Sequence, residues 1–450
     1  MPNPILPTWE YIPDGEPRVF GDRVYLYGSH DRAASESFCD IKLKVWSADV
    51  HDLNRWQCHG DSFRTQPSAV SGRPADTPWT DHALFAPDVV EKDGKYYLYA
   101  YIVGSRGAVG VSDRPEGPFK LLSAYRYMKA DGAAADAEVG DEGIFNDAGV
   151  LVDEDGRVYV YYGFEHSCMN ELNPENMCEV LPGTLRRAVV DDSEALPVDR
   201  RFYEASSPRK INGRYYLIYS PRCGSRLAYA TADDPRGPFT YRGYIIDNGV
   251  DYPAGNNHGS VACINGQWYV FYHRMTNRSI TSRRACVEKI EILPDGTIPP
   301  VEMTSLGFED ALNPYRPTPG ELACVLTGGC YITEKDIFTR VVTDITDGCV
   351  MGYKYFDFGR DFTGDPLTLA LKVRGMGTPC RVRVLLDSPE GEEIGVCELG
   401  TGDGVYRTKT RLVTGRHALY LKADHKVEGW MGAFFEGKRL FELEEFVFMK

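Results

Sequence analysis

Long apolar runs are missing from this 450-residue chain. No stretch approaches the roughly 18 residues that a membrane-spanning helix needs. Helical periodicity is scarce as well, which leaves strands as the main element. Positive charge is in deficit: 50 Lys and Arg stand against 65 Asp and Glu, a formal net charge of −15. Such a chain repels phosphate backbones, so neither nucleic acid nor a membrane is expected as a partner. The opening MPNPILPTWEYIPDGEP has neither the basic start nor the apolar core of an export signal, and the expected location is the cytoplasm. The 12 cysteines include no CxxC pair and no metal-ligand spacing, so packed, reduced thiols are expected.

What the chain has is tyrosine, 28 in all, a residue suited to half-buried strands and to sugar-stacking surfaces. One pattern recurs five times, a Gly-containing turn followed by a Tyr-rich strand. The copies are GDRVYLYG from Gly21, GKYYLYAY from Gly94, GRVYVYYG from Gly156, GRYYLIYS from Gly213 and GQWYVFYH from Gly266. Tyr25, Tyr97, Tyr159, Tyr216 and Tyr269 align, at intervals of 53 to 72 residues. Each unit reads as a β-hairpin. DRPEGPF from Asp113 and DDPRGPF from Asp233 read as turns between outer strands. Repeats of this length, about one four-stranded blade each, predict an all-β chain built on a five-bladed β-propeller. At this length a second domain is expected too.

Ahead of each hairpin stands one ionisable group: Asp14, Asp88, Asp147, Glu204 and His258, between 9 and 12 residues before the aligned tyrosine. Any one acidic residue in a turn is unremarkable. Five at matched offsets predict a ring at the mouth of a central channel. Like charges and burial raise carboxyl pKa values. One carboxyl then stays protonated as an acid while another stays ionised as a base, the equipment of glycoside hydrolysis.

On these residues the chain resembles glycoside hydrolase family 43 over residues 4 to 315. YIPDGEPRVFGDRVYLYGSHD is similar to the family's opening blade, and the resemblance implies Asp14 as general base. FNDAGVLVDEDGRVYVYYG implies Asp147 as the carboxylate that tunes and orients the acid. YEASSPRKINGRYYLIYS implies Glu204 as general acid. NNHGSVACINGQWYVFYHR implies a channel histidine at His258, in some members near calcium, so a structural calcium there is the one metal expected. RRACVEKIEILPDGTI is similar to the closing blade, whose arginine reaches the sugar; Arg284 is the best match, with Arg283 beside it. The second-blade FAPD places Phe85 and Asp88 in substrate binding. The family's Asp-Pro at the base is Asp14-Gly15 here, and Glu16 competes for that role. The Ser29-His30-Asp31 triplet reads as a supporting network.

Residues 322–450 carry alternating strand patterns in LTLALKVRG, VRVLLDSPEGEEIGVCELG, TGRHALYLKA and LFELEEFVFM, as expected for a jelly-roll sandwich. They resemble a family 6 carbohydrate-binding module, with Tyr406 and Glu442 at its eroded sugar positions. The domains are therefore read as 1–315, a propeller, and 322–450, a sandwich. The resemblance implies an inverting exo-glycosidase that needs no cofactor. Its substrates would be terminal α-L-arabinofuranosyl or β-D-xylosyl groups of arabinoxylan, arabinan or xylan oligosaccharides. A catalytically silent sugar-binding propeller is the alternative, motivated by the Asp14-Gly15 departure. Oligomeric state leaves no mark in the sequence.

Overall fold

The computed structural model describes residues 1–104, 107–124, 127–128, 134–135, 145–360, 366–427 and 429–450. Five antiparallel sheets follow one another along the chain. Their innermost strands are Glu16–Phe20, Leu84–Lys92, Gly149–Val152, Phe202–Ile211 and Ser260–Ile264. In every one of these sheets spatial order follows chain order, so each blade is a meander running outward from a common axis. Among the described residues four blades have four strands and the fifth has three. The N-terminal segment completes the fifth. Ile5 N–H donates to Ala285 O at 3.0 Å, and Asn3 exchanges two hydrogen bonds with Val287. Radial closure of this kind leaves each blade only short, protected edges.

The repeated Tyr-rich segments form the second strand of each blade. Tyr25, Tyr97, Tyr159, Tyr216 and Tyr269 face Arg18, Val90, Leu151, Arg209 and Ala262, the same rung of each inner hairpin. The two Gly-Pro-Phe turns join third to fourth strands and dock on the preceding blade. Tyr27 Oη donates to Pro115 O at 2.7 Å and Phe119 N–H to Ser62 O at 2.9 Å. Between blades three and four, Tyr161 Oη donates to Pro235 O and Phe239 N–H to Val189 O.

Polar groups fill the channel below its mouth. Glu16, Asp88, Gly149, Ser207 and Ser260 stand at one level, each paired across its hairpin with the equivalent position of the second strand. Arg18 forks onto Asp88 at 3.0 and 2.7 Å, and Asp88 also accepts from Val150 N–H at 2.7 Å. Arg209 reaches Glu16, Ser207 and Val261 O, and Ser207 Oγ donates to Glu16 at 2.8 Å. Every buried charge here has an opposite partner, as burial requires.

The C-terminal part is a β-sandwich of two antiparallel sheets, one centred on Phe441–Met449 and the other on Arg416–His425. Leu369, Leu371, Tyr353, Phe446, Val382 and Leu421 lie in its core, which is continuous with that of blades four and five. Arg284 donates to Glu321 at 2.6 Å, Asn277 N–H to Ile332 O at 2.7 Å, and Tyr11 Oη to Glu334, so the sandwich is fastened to the propeller beside its first and last blades. All twelve cysteines are free thiols. Among the described residues no helix is long and apolar enough to cross a membrane.

Gly149 stands where inner strands three and four approach closely. A Cβ there would lie 2.2 Å from Ser206 O and 2.5 Å from Pro208 Cδ. Gly149→Ala should therefore destabilise the propeller by about 1–3 kcal/mol, the usual cost of overpacking. Chemical denaturation checks this, and an unchanged midpoint would contradict the close approach.

Candidate active site

The mouth of the channel is shaped by irregularities in the inner strands. In blade two the register slips between Phe85 and Asp88, and in blade four between Glu204 and Ser207. Such bulges turn the preceding side chain out of its regular direction. Phe85 and Glu204 occupy the same place, each just before a bulge. The next residue in each blade is left-handed: Ala86 has φ 31° and Ala205 φ 69°. Asp14 (φ 55°) and Asp147 (φ 48°) fill that same position in blades one and three, where aspartate tolerates the conformation. His258 is the fifth-blade counterpart.

These residues share one pocket. Asp14 is 4% exposed, accepts from Arg283 Nη1 at 2.7 Å through one oxygen and from Ser29 Oγ at 2.6 Å through the other. Ser29 Oγ in turn accepts from Ala86 N–H at 2.7 Å, tying blade one to blade two. His258 Nδ1 lies between two carboxylates, 3.7 Å from Asp14 and 3.8 Å from Asp147. His273 Nδ1 accepts from the Asp14 N–H, and its Nε2 lies 3.0 Å from Asn256 O. Ala205 N–H donates to the Asp147 carboxylate, and Asn146 hydrogen-bonds Glu204. Phe85 packs edge-on against Tyr101, with centroids 5.8 Å apart. Tyr101 feels the charges of both Asp147 and Glu204, which sets the two rings on the acid's side of the cluster.

Burial alone would raise all three carboxyl pKa values, and the neighbours then separate them. At Asp14 the Arg283 guanidinium, with His258 and His273, outweighs burial and holds the group below the usual carboxylate range. At Glu204, burial and the charge of Asp14 push the pKa up to about 7, against the pull of Arg283 and Asn146. Asp147 is raised well above its ordinary value by burial, Glu204 and Asp14. Glu204 and Asp147 titrate together, and at neutral pH the pair keeps a proton while Asp14 stays ionised. Burial lowers His258, and His273 falls to about 3, so both imidazoles are neutral.

Two sequence expectations need correcting, and one alternative falls away. Arg284 does not reach the pocket: it points to the opposite side of its strand and pairs with Glu321. Arg283 takes the predicted place, donating to Asp14 and forking onto Asp31 at 2.9 Å. Asp88 lies in the channel but one level below the mouth, saturated by Arg18 and backbone N–H groups, and is not free for substrate. Glu16, the competitor for the base, belongs to that same lower level through Arg209 and Ser207. The Ser-His-Asp triplet is a supporting network: Ser29 holds Asp14, Asp31 holds Arg283, and His30 bridges Glu10 and Asp40 at 3.0 and 3.2 Å. Sequence reasoning did not find Asn146 or His273. Asn146 directly precedes Asp147, and His273 closes the fifth Tyr-rich repeat. Both signals were available as polar residues next to motif positions.

His258 does not fit calcium through protein oxygens alone. Among the described residues, one group of three ligating side chains lies close enough to share an ion, Asp347, Asp424 and His425, and it is in the sandwich. Calcium wants six to eight oxygens, and the nearest carboxylate oxygen to His258, on Asp14, is already taken by Arg283.

A buried acid and base with divided protons, set on a propeller, define a glycoside hydrolase. The sequence profile of glycosyl hydrolases family 43 matches residues 1–298. The chain is 37% identical over 407 residues to a xylosidase/arabinosidase of Thermoclostridium stercorarium, covering 79% of this chain and 82% of that protein. An arabinoxylan arabinofuranohydrolase from Bacillus subtilis, solved with cellotetraose, shares the fold along 100% of this chain and 97% of its own, with a TM-score of 0.55 and 22% identity. A β-xylosidase/α-arabinofuranosidase from a compost metagenome, solved with xylotriose in a calcium-free form, is 27% identical with a TM-score of 0.53, covering 67% of this chain and 99% of that one. The chain belongs to glycoside hydrolase family 43.

The raised pKa of Glu204 has a signature in stability. The folded protein holds this proton up to about pH 7, whereas the unfolded chain releases it near 4.5. The corresponding stability is fully present below pH 4.5 and is lost as pH rises through 7. Glu204→Gln, which cannot ionise, should fall less in stability between pH 5 and pH 8 than the parent. Denaturant midpoints at both pH values read this, and parallel declines in the two proteins would place the Glu204 pKa elsewhere.

Proposed function

We propose that the chain is an inverting exo-glycosidase. It releases terminal α-L-arabinofuranose or β-D-xylose from arabinoxylan, arabinan or xylan oligosaccharides. The observation that carries this is the opposite protonation of Asp14 and of the Glu204–Asp147 pair around one pocket. Asp14, ionised and aimed by Arg283 and Ser29, takes the proton of a water on the far face of the sugar. Glu204 gives its proton to the leaving oxygen. Asp147 shares a proton with Glu204 and, through Ala205 N–H, is tied to the acid's strand, where it orients the acid. Inverting pairs stand about 6.5–9.5 Å apart to leave room for the water. Both proton transfers use side chains alone, so the scheme needs no cofactor; a calcium at His258 would have to complete its shell with water.

Support for the sugar comes from the relatives: one is named a xylosidase/arabinosidase, and another structure holds xylotriose. Phe85 and Tyr101 give the pocket an apolar wall for one ring. Sugar binding by the sandwich finds less support. Glu442 is buried and bonded to Lys335 and Thr343, and Tyr406 Oη is spent on Gly402 O. A cytoplasmic location, with imported oligosaccharides as substrates, agrees with twelve free thiols.

The acid and base separate by leaving group. Glu204→Gln should lose about 10²–10⁴-fold on a natural oligosaccharide, the usual worth of general acid catalysis, and little on a dinitrophenyl pentoside that departs without a proton. Asp14→Asn should lose on both alike. Steady-state kinetics on the two substrates decide this, and equal losses for Glu204→Gln would overturn its role. Proton NMR of the first-formed sugar should show inverted configuration; retention would defeat the single displacement.

A further inference from the structure

The acid touches the leaving oxygen, so the departing sugar lies on the Glu204 side of the pocket. On that side stands an aromatic pair that the catalytic scheme does not use. Phe164 is 48% exposed, and its ring packs on Tyr203 with centroids 4.7 Å apart. Tyr203 directly precedes Glu204 and feels its charge.

The loop carrying Phe164 is fastened to the acid's own support. Gly163 N–H donates to Asn146 O at 3.2 Å, and Asn146 Nδ2 donates back to Gly163 O at 3.3 Å. That same asparagine hydrogen-bonds Glu204. Glu165 N–H donates to Tyr203 O at 2.6 Å, and Arg222 Nη2 donates to Glu165 O at 2.8 Å. Gly163 has φ 141°, and a Cβ there would sit 1.9 Å from His166 O, so the turn is tight. A large apolar ring is thus held open to solvent within one residue of the hydrogen bonds that place the acid. Sugar rings present C–H faces that pack on aromatic faces, and polar neighbours satisfy their hydroxyls. Exposed Glu165 and His166, the latter bonded to Asp192 at 2.7 Å, flank the ring.

We propose that Phe164, backed by Tyr203, is the platform on which the leaving-group sugar stacks, and that it determines aglycone specificity. The occupant is a neutral pyranose ring, the xylose unit from which the terminal pentose is cut. The inference rests on Glu204 being the acid. Phe164 acts on the sugar beyond the scissile bond and leaves the pentose itself untouched.

The test compares substrates with and without a sugar on the leaving side: xylobiose and arabinosyl-xylotriose against β-D-xylosyl and α-L-arabinofuranosyl fluoride. Phe164→Ala should lose roughly tenfold in kcat/KM on the oligosaccharides, the scale of one lost stacking contact, with the fluorides unchanged. Phe164→Tyr should restore the oligosaccharide rate. In an Asp14→Asn background, which suppresses turnover, calorimetric titration with xylotriose should show weaker binding when Phe164→Ala is added. Equal losses on both substrate classes, or no loss on oligosaccharides together with unaltered xylotriose affinity, would overturn the proposal. Failure of the underlying reading looks different: Glu204→Gln would then cut the fluoride rate as deeply as the oligosaccharide rate.

Discussion

The Arg283 guanidinium, 2.7 Å from Asp14 and 2.9 Å from Asp31, decides how protons divide among the carboxyls at the channel mouth. Three carboxyls buried together cannot all ionise, because each added negative charge is poorly solvated and repels the others. A single fixed cation at one end breaks the symmetry. Asp14, in direct contact, is relieved of its proton; the Glu204–Asp147 pair, farther off, keeps one. Opening such a buried ion pair typically costs about 3–5 kcal/mol. The arrangement is therefore held by the fold and not by solvent.

Holding it requires a scaffold that does not yield, and the propeller supplies one at two levels. Around the rim, the tyrosine hydroxyls of one blade are bonded to the Gly-Pro-Phe turn of the next. Along the axis, Arg18 and Arg209 knit Glu16, Asp88 and Ser207 into a charged floor. Bulges then supply the one departure from regularity that the chemistry needs, turning Glu204 toward the mouth while the strand below it stays in register.

The repeat made most of this fold legible. Five aligned tyrosines do mark one rung in five blades, and the alternating patterns after Leu322 do form a sandwich. The candidate site was readable to within one level of the channel. Asp14 and His258 stand four residues before their tyrosine's cross-strand partner. Asp147 does so too, although its longer hairpin turn lengthens its count. Glu204 has the same count as Asp147 for another reason, since it lies one residue earlier, ahead of the bulge. Asp88 had the shortest count, and that shortfall of two residues is one strand period, which kept it on the axis and dropped it a level. The exchange of Arg284 for Arg283 has the same origin: neighbours on a strand point to opposite faces, and a motif alone does not say which is inward. Asn146 and His273 lay outside the pattern because they act on the acid and base through hydrogen bonds, which leave no periodic trace.

That pair of arginines joins two parts of the molecule that look separate. Arg283 faces the axis and grips the water-activating carboxylate; Arg284 faces away and grips Glu321 at the foot of the sandwich. One strand, two adjacent residues and one backbone therefore serve both attachments. Whatever tilts the sandwich against the fifth blade pulls on the same rigid segment that sets the charge of Asp14. The second domain is in this sense a buttress of the reaction centre.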